Sequence, residues 1–262
     1  MTSTIPPRSK TRHGAAYAEA GSGEPIALIH GVGLRLEAWG AQIAGLSRDF
    51  RVIAVDMPGH GESSSLPTSA RLPEFVSWFG DVLDDLGLDA VNVAGHSMGA
   101  LIAGGAAAEF GARISRVGII NGVYRREPAA RHAVIARARQ IAKGDMDVEG
   151  PLKRWFEDDA ETETARELTR QWLSTVDPSA YATAYAAFAE GDATYADAWG
   201  DIAASALFLT GSDDPNSTPT MAAAMAKAAR NGRAVIIEGH RHMVPMTAPD
   251  HVNAHLSNWL RS

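Results

Sequence analysis

Gly95-His96-Ser97-Met98-Gly99 follows directly on the apolar run Ala90-Val91-Asn92-Val93-Ala94 and precedes a stretch of small residues from Ala100 to Ala108. Strand, then G-x-S-x-G, then helix is the order in which a serine is presented at a sharp strand-to-helix turn, the nucleophile elbow. Such a turn lifts the hydroxyl above the sheet and brings its flanking residues so close to the helix and the neighbouring strand that side chains there would collide. Glycine on both flanks relieves the clash. The five-residue pattern is short enough to arise by chance. A serine hydroxyl is also a weak nucleophile alone, so the rest of the chain has to provide a base and a group that stabilises developing negative charge.

Two further regions meet that requirement. Ile26-Ala27-Leu28-Ile29 is a short buried-strand run ending in His30-Gly31-Val32-Gly33, a glycine-rich loop whose backbone N–H groups can turn inward as an oxyanion hole. Near the C-terminus, Ala206-Leu207-Phe208-Leu209-Thr210 leads into Gly211-Ser212-Asp213-Asp214, and Ala234-Val235-Ile236-Ile237-Glu238 leads into Gly239-His240-Arg241-His242. A strand end bearing an acid is thus followed by a strand end bearing a base. Serine, acid, histidine is a chain order distinct from those of the chymotrypsin and subtilisin folds.

With these motifs in order, the sequence resembles the α/β-hydrolase superfamily over nearly its whole length, least in the N-terminal residues and from about Val123 to Trp199. Val52-Ile53-Ala54-Val55-Asp56-Met57-Pro58-Gly59-His60-Gly61-Glu62-Ser63 is similar to the family's strand and loop of the D-x-P-G-x-G-x-S type. The resemblance implies an α/β fold, a mostly parallel sheet flanked by helices. The pattern along the chain agrees. Apolar runs at Ile26 to Ile29, Val52 to Val55, Val91 to Ala94 and Val117 to Ile120 alternate with helical patterns at Leu36 to Leu46, Pro73 to Leu86 and Met98 to Phe110, after an edge strand around His13 to Glu19. From Glu127 to Trp199 the alternation stops, and helix-like spacing replaces it in Arg131 to Ala142 and Thr164 to Leu173. A helical cap at 123–200, inserted into a core of 1–122 and 201–262, is therefore expected, with an alanine-rich helix over Thr220 to Ala229 once alternation resumes.

Composition narrows the partners. An excess of seven acidic charges over 262 residues argues against nucleic acid. The absence of cysteine excludes a thiol nucleophile, disulfides and thiolate metal sites. Met1 to Thr11 has no hydrophobic core, and no run reaches the length of a membrane span, so a cytoplasmic protein with no membrane partner is expected. His30 and His60 lack H-E-x-x-H spacing and no phosphate-cradling loop is present, so neither a metal nor a cofactor is implied. The partner is a small-molecule substrate; the oligomeric state is left open.

The family pattern then assigns roles by position. Ser97 is the nucleophile, where dehalogenases and epoxide hydrolases of this fold carry aspartate. His242, with Met243 and Pro245 after it, resembles the family's terminal G-x-x-H-x-x-P, although Thr247 stands where an acid is frequent; His240 competes for the role. Asp214, three positions after Gly211 and followed by Pro215, is preferred over Asp213, which would face solvent or cap the helix that begins near Ser217. Backbone N–H groups of Val32 and Met98 would hold the oxyanion. His30 would hold its loop, and His96 would pack beside the elbow.

Substrate identity rests on the cap. Val176-Asp177-Pro178-Ser179-Ala180-Tyr181-Ala182 and Phe188-Ala189-Glu190-Gly191-Asp192 look similar to the cap of 3-oxoadipate enol-lactonases, which act on a small anionic lactone. Arg125 and Arg126 could grip a substrate carboxylate near the mouth of the site. The expected activity is hydrolysis of a small carboxylic ester or lactone through an acyl-enzyme. Cleavage of a carbon–carbon bond or an amide by the same triad is the neighbouring alternative, and a ligand receptor on this fold is the alternative from another class.

Overall fold

The computed structural model describes residues 5–262. One sheet contains β1 (Ser9–Lys10), β2 (Ala16–Ala20), β3 (Pro25–Ile29), β4 (Arg51–Val55), β5 (Val91–His96), β6 (Ile114–Ile120), β7 (Ser205–Gly211) and β8 (Gly232–Ile237). Its order is β1-β2-β4-β3-β5-β6-β7-β8. Only the β1–β2 and β2–β4 pairs are antiparallel; the others are parallel. The helices are α1 (Gly40–Leu46), α2 (Leu72–Asp85), α3 (Met98–Glu109), α4 (Pro128–Ile141), α5 (Glu149–Trp155), α6 (Glu163–Thr175), α7 (Pro178–Glu190), α8 (Pro219–Ala228), α9 (Val244–Thr247) and α10 (Pro249–Leu260).

The unbroken apolar runs reflect burial on both faces. Ile26 and Leu28 of β3 pack with Val52 and Ala54 of β4 in one core cluster, together with Ile43 of α1 and Val252, Leu256 and Trp259 of α10. The intervening Ala27 and Ile29, with Ile53 and Val55, join the other cluster, which takes Phe75 and Phe79 from α2, Ile102 and Ala106 from α3, and Met225 from α8. A strand covered on both sides has no polar face to display, so alternation disappears from its sequence. No described helix is long and apolar enough to cross a membrane.

Boundaries shift where local bonds override the pattern. The stretch read as one helix from Leu36 to Leu46 is a 3-10 turn, Leu36–Trp39, followed by α1, and the Leu36 N–H is taken by Asp56 Oδ1 at 2.8 Å. The edge strand expected around His13 to Glu19 is β2, which begins at Ala16 because a turn closed by the Gly14 N–H on Thr11 O (3.0 Å) carries His13 away to the Asp85 carboxylate, and it is not at the edge, since β1 pairs outside it.

Helices α4 to α7 fill the interval between β6 and β7 with no strand among them. The site follows from the strand order. The chain passes from β3 to β4 on one side and then returns to place β5 on the other side of β3, so loops after β3 and β5 diverge and leave a crevice at the carboxyl ends of the strands.

Candidate active site

Ser97 stands between β5 and α3 with φ +55° and ψ −111°, backbone angles that cost a non-glycine residue on the order of 1–3 kcal/mol. The flanking glycines have no alternative. A Cβ at Gly95 would lie 1.9 Å from Gly99 O, and one at Gly99 would lie 2.1 Å from Ile29 O on the neighbouring strand. Both collisions would be with backbone, which cannot swing aside.

The loop after β3 runs beside this elbow. His30 Nδ1–H donates to Gly31 O (2.8 Å) while its Nε2 accepts the Met57 N–H (2.9 Å). His60 works similarly: Nδ1–H donates to Pro58 O (3.0 Å) and Nε2 accepts the Gly33 N–H (3.0 Å). Each imidazole therefore has a fixed tautomer, with the acceptor nitrogen spent on a main-chain donor. Burial pulls both pKa values down, that of His60 to about 3. Because C=O and N–H point opposite ways across a trans peptide, holding Gly31 O against His30 aims the Val32 N–H away from it. Among the described residues, the N–H groups of Val32 and Met98 have no hydrogen-bond acceptor.

Asp214 is buried just beyond β7 and its two oxygens are used differently. Oδ1 accepts the main-chain N–H of Asn216 (2.8 Å) and Ser217 (3.1 Å), whereas Oδ2 accepts from His242 Nδ1 (2.7 Å) and Asn121 Nδ2 (2.8 Å). Burial alone would raise its pKa. The interaction with His242 and the bonds from His242, Asn216 and Asn121 outweigh that and leave the carboxyl below its ordinary value. Asp213 is exposed and accepts only from Ser212 Oγ (2.8 Å) through its side chain. Nor does it cap α8, which is capped by the Thr218 hydroxyl. His240, half-buried, pairs with Thr247 Oγ1 at 3.2 Å. The structure thus brings Asp214 to His242 and leaves both competing residues outside the pair.

His96 does more than pack. Its Nε2–H donates to His242 O at 2.8 Å, tying the elbow to the histidine loop, and its pKa is pulled to about 3 chiefly by burial. Asn121, at the end of β6 with φ +47°, was not singled out from the sequence. Its only signal was an amide side chain immediately before Gly122 at a strand end.

Ser97, His96, His242, Gly31 and Val32 line a cavity of about 560 Å³. Much of its remaining wall comes from α4, α5 and α7, including Val134, Arg137, Arg154, Tyr181 and Phe188, with Arg126 ahead of α4, Asp147 between α4 and α5, and Asn216 and Met221 after β7. The two arginines expected at the mouth part company. Arg125 is exposed, pairs with Asp197 and does not line the cavity. Arg126 does line it, stacked 4.4 Å from the Phe188 ring centroid, with its charge engaged by buried Asp192 at 3.3 Å. Arg137 is held by Asp147 at 3.1 Å. Arg154 has no carboxylate within ion-pair distance among the described residues. Sequence reading missed both Arg137 and Arg154. A sign of the first was present: Ala130, Ala133, Val134, Arg137 and Ile141 fall on one helix face, and a charged residue within an apolar stripe needs a polar or ligand partner.

Comparison with known proteins extends this picture. The Alpha/beta hydrolase family profile matches residues 26–254. The chain is 48% identical over 248 residues to an (E)-2-((N-methylformamido)methylene)succinate hydrolase of Acinetobacter baylyi, covering 95% of this chain and 94% of that protein. Among solved structures, a thermophilic esterase from Thermogutta terrifontis superimposes with a TM-score of 0.87 at 25% identity, covering 97% of this chain and 98% of that one. The enol-lactonase from Burkholderia xenovorans gives the same TM-score at 24% identity, with coverage of 98% and 100%, and so shares the fold. The chain belongs to the alpha/beta hydrolase family.

Proposed function

We propose that this hydrolase cleaves the acyl–nitrogen bond of a small dicarboxylate carrying an N-acyl group, through an acyl-enzyme on Ser97. The observation that carries the substrate class is Arg154, a half-buried cation in the cavity lined by Ser97 and His242, which makes no ion pair of its own among the described residues and shares the field of Asp147 with Arg137. A guanidinium whose donor fork is not taken by a carboxylate is free to grip one bidentately, so a ligand anion is its natural complement. The relative from Acinetobacter baylyi supports this reading, since the substrate in its name is a succinate bearing an N-methylformamido group. Amide cleavage is thereby preferred to the ester or lactone hydrolysis expected from the motifs, while the nucleophilic chemistry is unchanged. A cavity of about 560 Å³ suits a molecule of this size.

In the proposed mechanism, Ser97 Oγ bonds to the acyl carbon and gives its proton to His242 Nε2. Asp214, bonded to Nδ1–H, holds the imidazole in the tautomer that can accept this proton. The carbonyl oxygen gains negative charge facing the Val32 and Met98 N–H groups. As the acyl–nitrogen bond breaks, His242 returns the proton to the departing nitrogen. Water then attacks the acyl carbon, His242 takes its proton and passes it to Ser97 Oγ, and the carboxylic acid leaves. Residues 123–200 serve as a cap that supplies the anion-binding wall.

A substrate panel tests the reading: an N-formyl aminomethylene succinate, its dimethyl ester, an enol lactone bearing a carboxylate, and a neutral ester. The dianionic amide is expected to give the highest kcat/KM. Equal or better turnover of the dimethyl and neutral esters would remove the anionic-amide assignment and leave a general carboxylesterase.

A further inference from the structure

The peptide groups around His242 have a divided set of partners. His240 O accepts the Asp213 N–H (3.0 Å), Arg241 O accepts Asn121 Nδ2 (3.3 Å), and His242 O accepts His96 Nε2–H (2.8 Å). These three contacts come from the sheet side. The other two come from the helical segment: the Arg241 N–H donates to Glu157 Oε1, and the His242 N–H donates to Trp155 O at 3.2 Å. The Trp155 ring also lies 5.8 Å from the His242 ring, centroid to centroid.

The Arg241 side chain strengthens that second attachment. Its Nη1 donates to Lys153 O and to Phe156 O, both at 3.0 Å, so one guanidinium nitrogen satisfies carbonyls at the C-terminal end of α5. Those carbonyls have no partner within the helix and carry its negative dipole end, where a cation is favoured. Helix α5 also carries Arg154 and Trp155 into the cavity. A single short helix thus touches the ligand space with one part and the loop of the histidine with another.

We infer that Arg241 is a positioning residue that straps the His242 loop to the end of α5, so that the placement of the base depends on the seating of the helical segment. This rests on the reading of His242 as the base. The consequence is directional. A ligand that seats α5 through Arg154 also steadies His242, whereas loss of the strap leaves ligand capture intact and impairs the proton transfer.

The test uses the full chain with p-nitrophenyl acetate, which lacks an anionic group, and follows kcat, KM and the low-field proton resonance of the His242–Asp214 hydrogen bond. Arg241→Met keeps most of the stem and removes the donors. It is expected to lower kcat about ten- to hundredfold, the scale of an ångström-sized misplacement, with KM changed less than about twofold and the resonance broadened. Arg241→Lys, which can still donate to a carbonyl, should restore much of the rate and sharpen the resonance. Should Arg241→Met not fold, Glu157→Ala removes the acceptor of the Arg241 N–H and is expected to move the same readouts in the same direction. Wild-type kcat and an unchanged resonance in the folded variant would overturn the strap. Failure of the hydrolase reading looks different: Ser97→Ala would then retain wild-type turnover, whereas failure of the strap alone leaves Ser97→Ala inactive and Arg241→Met fully active.

Discussion

Replacing Asp214 with Asn is the most informative single change, because the structure dictates which way the new amide must face. Oδ1 of Asp214 accepts two main-chain donors, the N–H groups of Asn216 and Ser217. An amide NH2 placed there would oppose both, so the amide oxygen must occupy that position and the NH2 must take the place of Oδ2. It then points at His242 Nδ1 and at Asn121 Nδ2, which now sit 2.7 and 2.8 Å from Oδ2. Asn121 can relieve its half of the conflict by turning its own amide, since its Oδ1 has no partner at present. His242 has no such freedom. Its Nδ1 must become the acceptor, which moves the ring proton to Nε2, the atom that takes the Ser97 proton in the proposed mechanism.

A base in the wrong tautomer cannot act, and in serine-protease triads the same substitution costs about 10⁴ in kcat. That corresponds to about 5.5 kcal/mol of activation free energy. The fold should lose about 1.5–3 kcal/mol, the worth of a hydrogen bond to a charged group, which urea unfolding can measure. Steady-state turnover of an activated ester reads the chemical effect. Asp213→Asn is the internal control, because Asp213 is exposed and makes no contact with His242. Asp214→Asn within tenfold of wild type, or an equal loss in Asp213→Asn, would refute the assignment of the acid.

Ser97→Ala should abolish hydrolysis of the activated ester while raising stability slightly, since alanine removes nothing that packs, and labelling by a fluorophosphonate should vanish with it; residual turnover above about 1% would point to another nucleophile. Arg154→Gln should raise KM for the dicarboxylate amide by about tenfold with little change in kcat, while Arg125→Gln, on the exposed side of the Asp197 pair, should change neither. A fall in kcat at constant KM for Arg154→Gln would argue against a ligand anchor. Acid should destabilise the fold through His60 and His96, whose folded pKa values of about 3 lie below an unfolded value near 6.5. Between those values the unfolded chain binds more protons, so stability rises with pH and is lost on acidification at up to about 1.4 kcal/mol per pH unit for each histidine. Urea unfolding between about pH 7 and about pH 5 measures the slope, and a flat profile would contradict burial of neutral imidazoles.

Most of the sheet is legible in the sequence because strands buried on both faces leave continuous apolar runs, and each proposed catalytic residue sits where such a run ends. Ser97 follows β5, Asp214 follows β7, and His242 follows β8. Spacing alone favours Asp214 over Asp213, and it is Asp214 that meets His242. The physical basis of that choice is not legible there, since it depends on Asn216 and Ser217 turning their N–H groups back on one carboxylate oxygen. Helix and strand ends are less legible, as at Leu36–Trp39, a 3-10 turn ahead of α1 whose first N–H is taken by the distant Asp56.

The helical segment was hardest to read, and the arginines explain why. Arg125 and Arg126 are adjacent in sequence, and nothing local distinguishes them; the positive φ of Arg125, +44°, accompanies a backbone that leaves one side chain on the surface with Asp197 and the other against Phe188 and Asp192. Arg137 and Arg154 lie on different helices, and only the packing of α4, α5 and α7 over the strand ends brings them to one cavity. The proposed nucleophile, acid and base each follow a strand of one sheet, so motif spacing carries their positions. The arginines proposed to meet the ligand are placed by helix orientation, which no short-range pattern encodes. For that reason chemistry was more legible than substrate in this chain, and the substitution that speaks most directly to substrate is at Arg154, a residue that carries no motif at all.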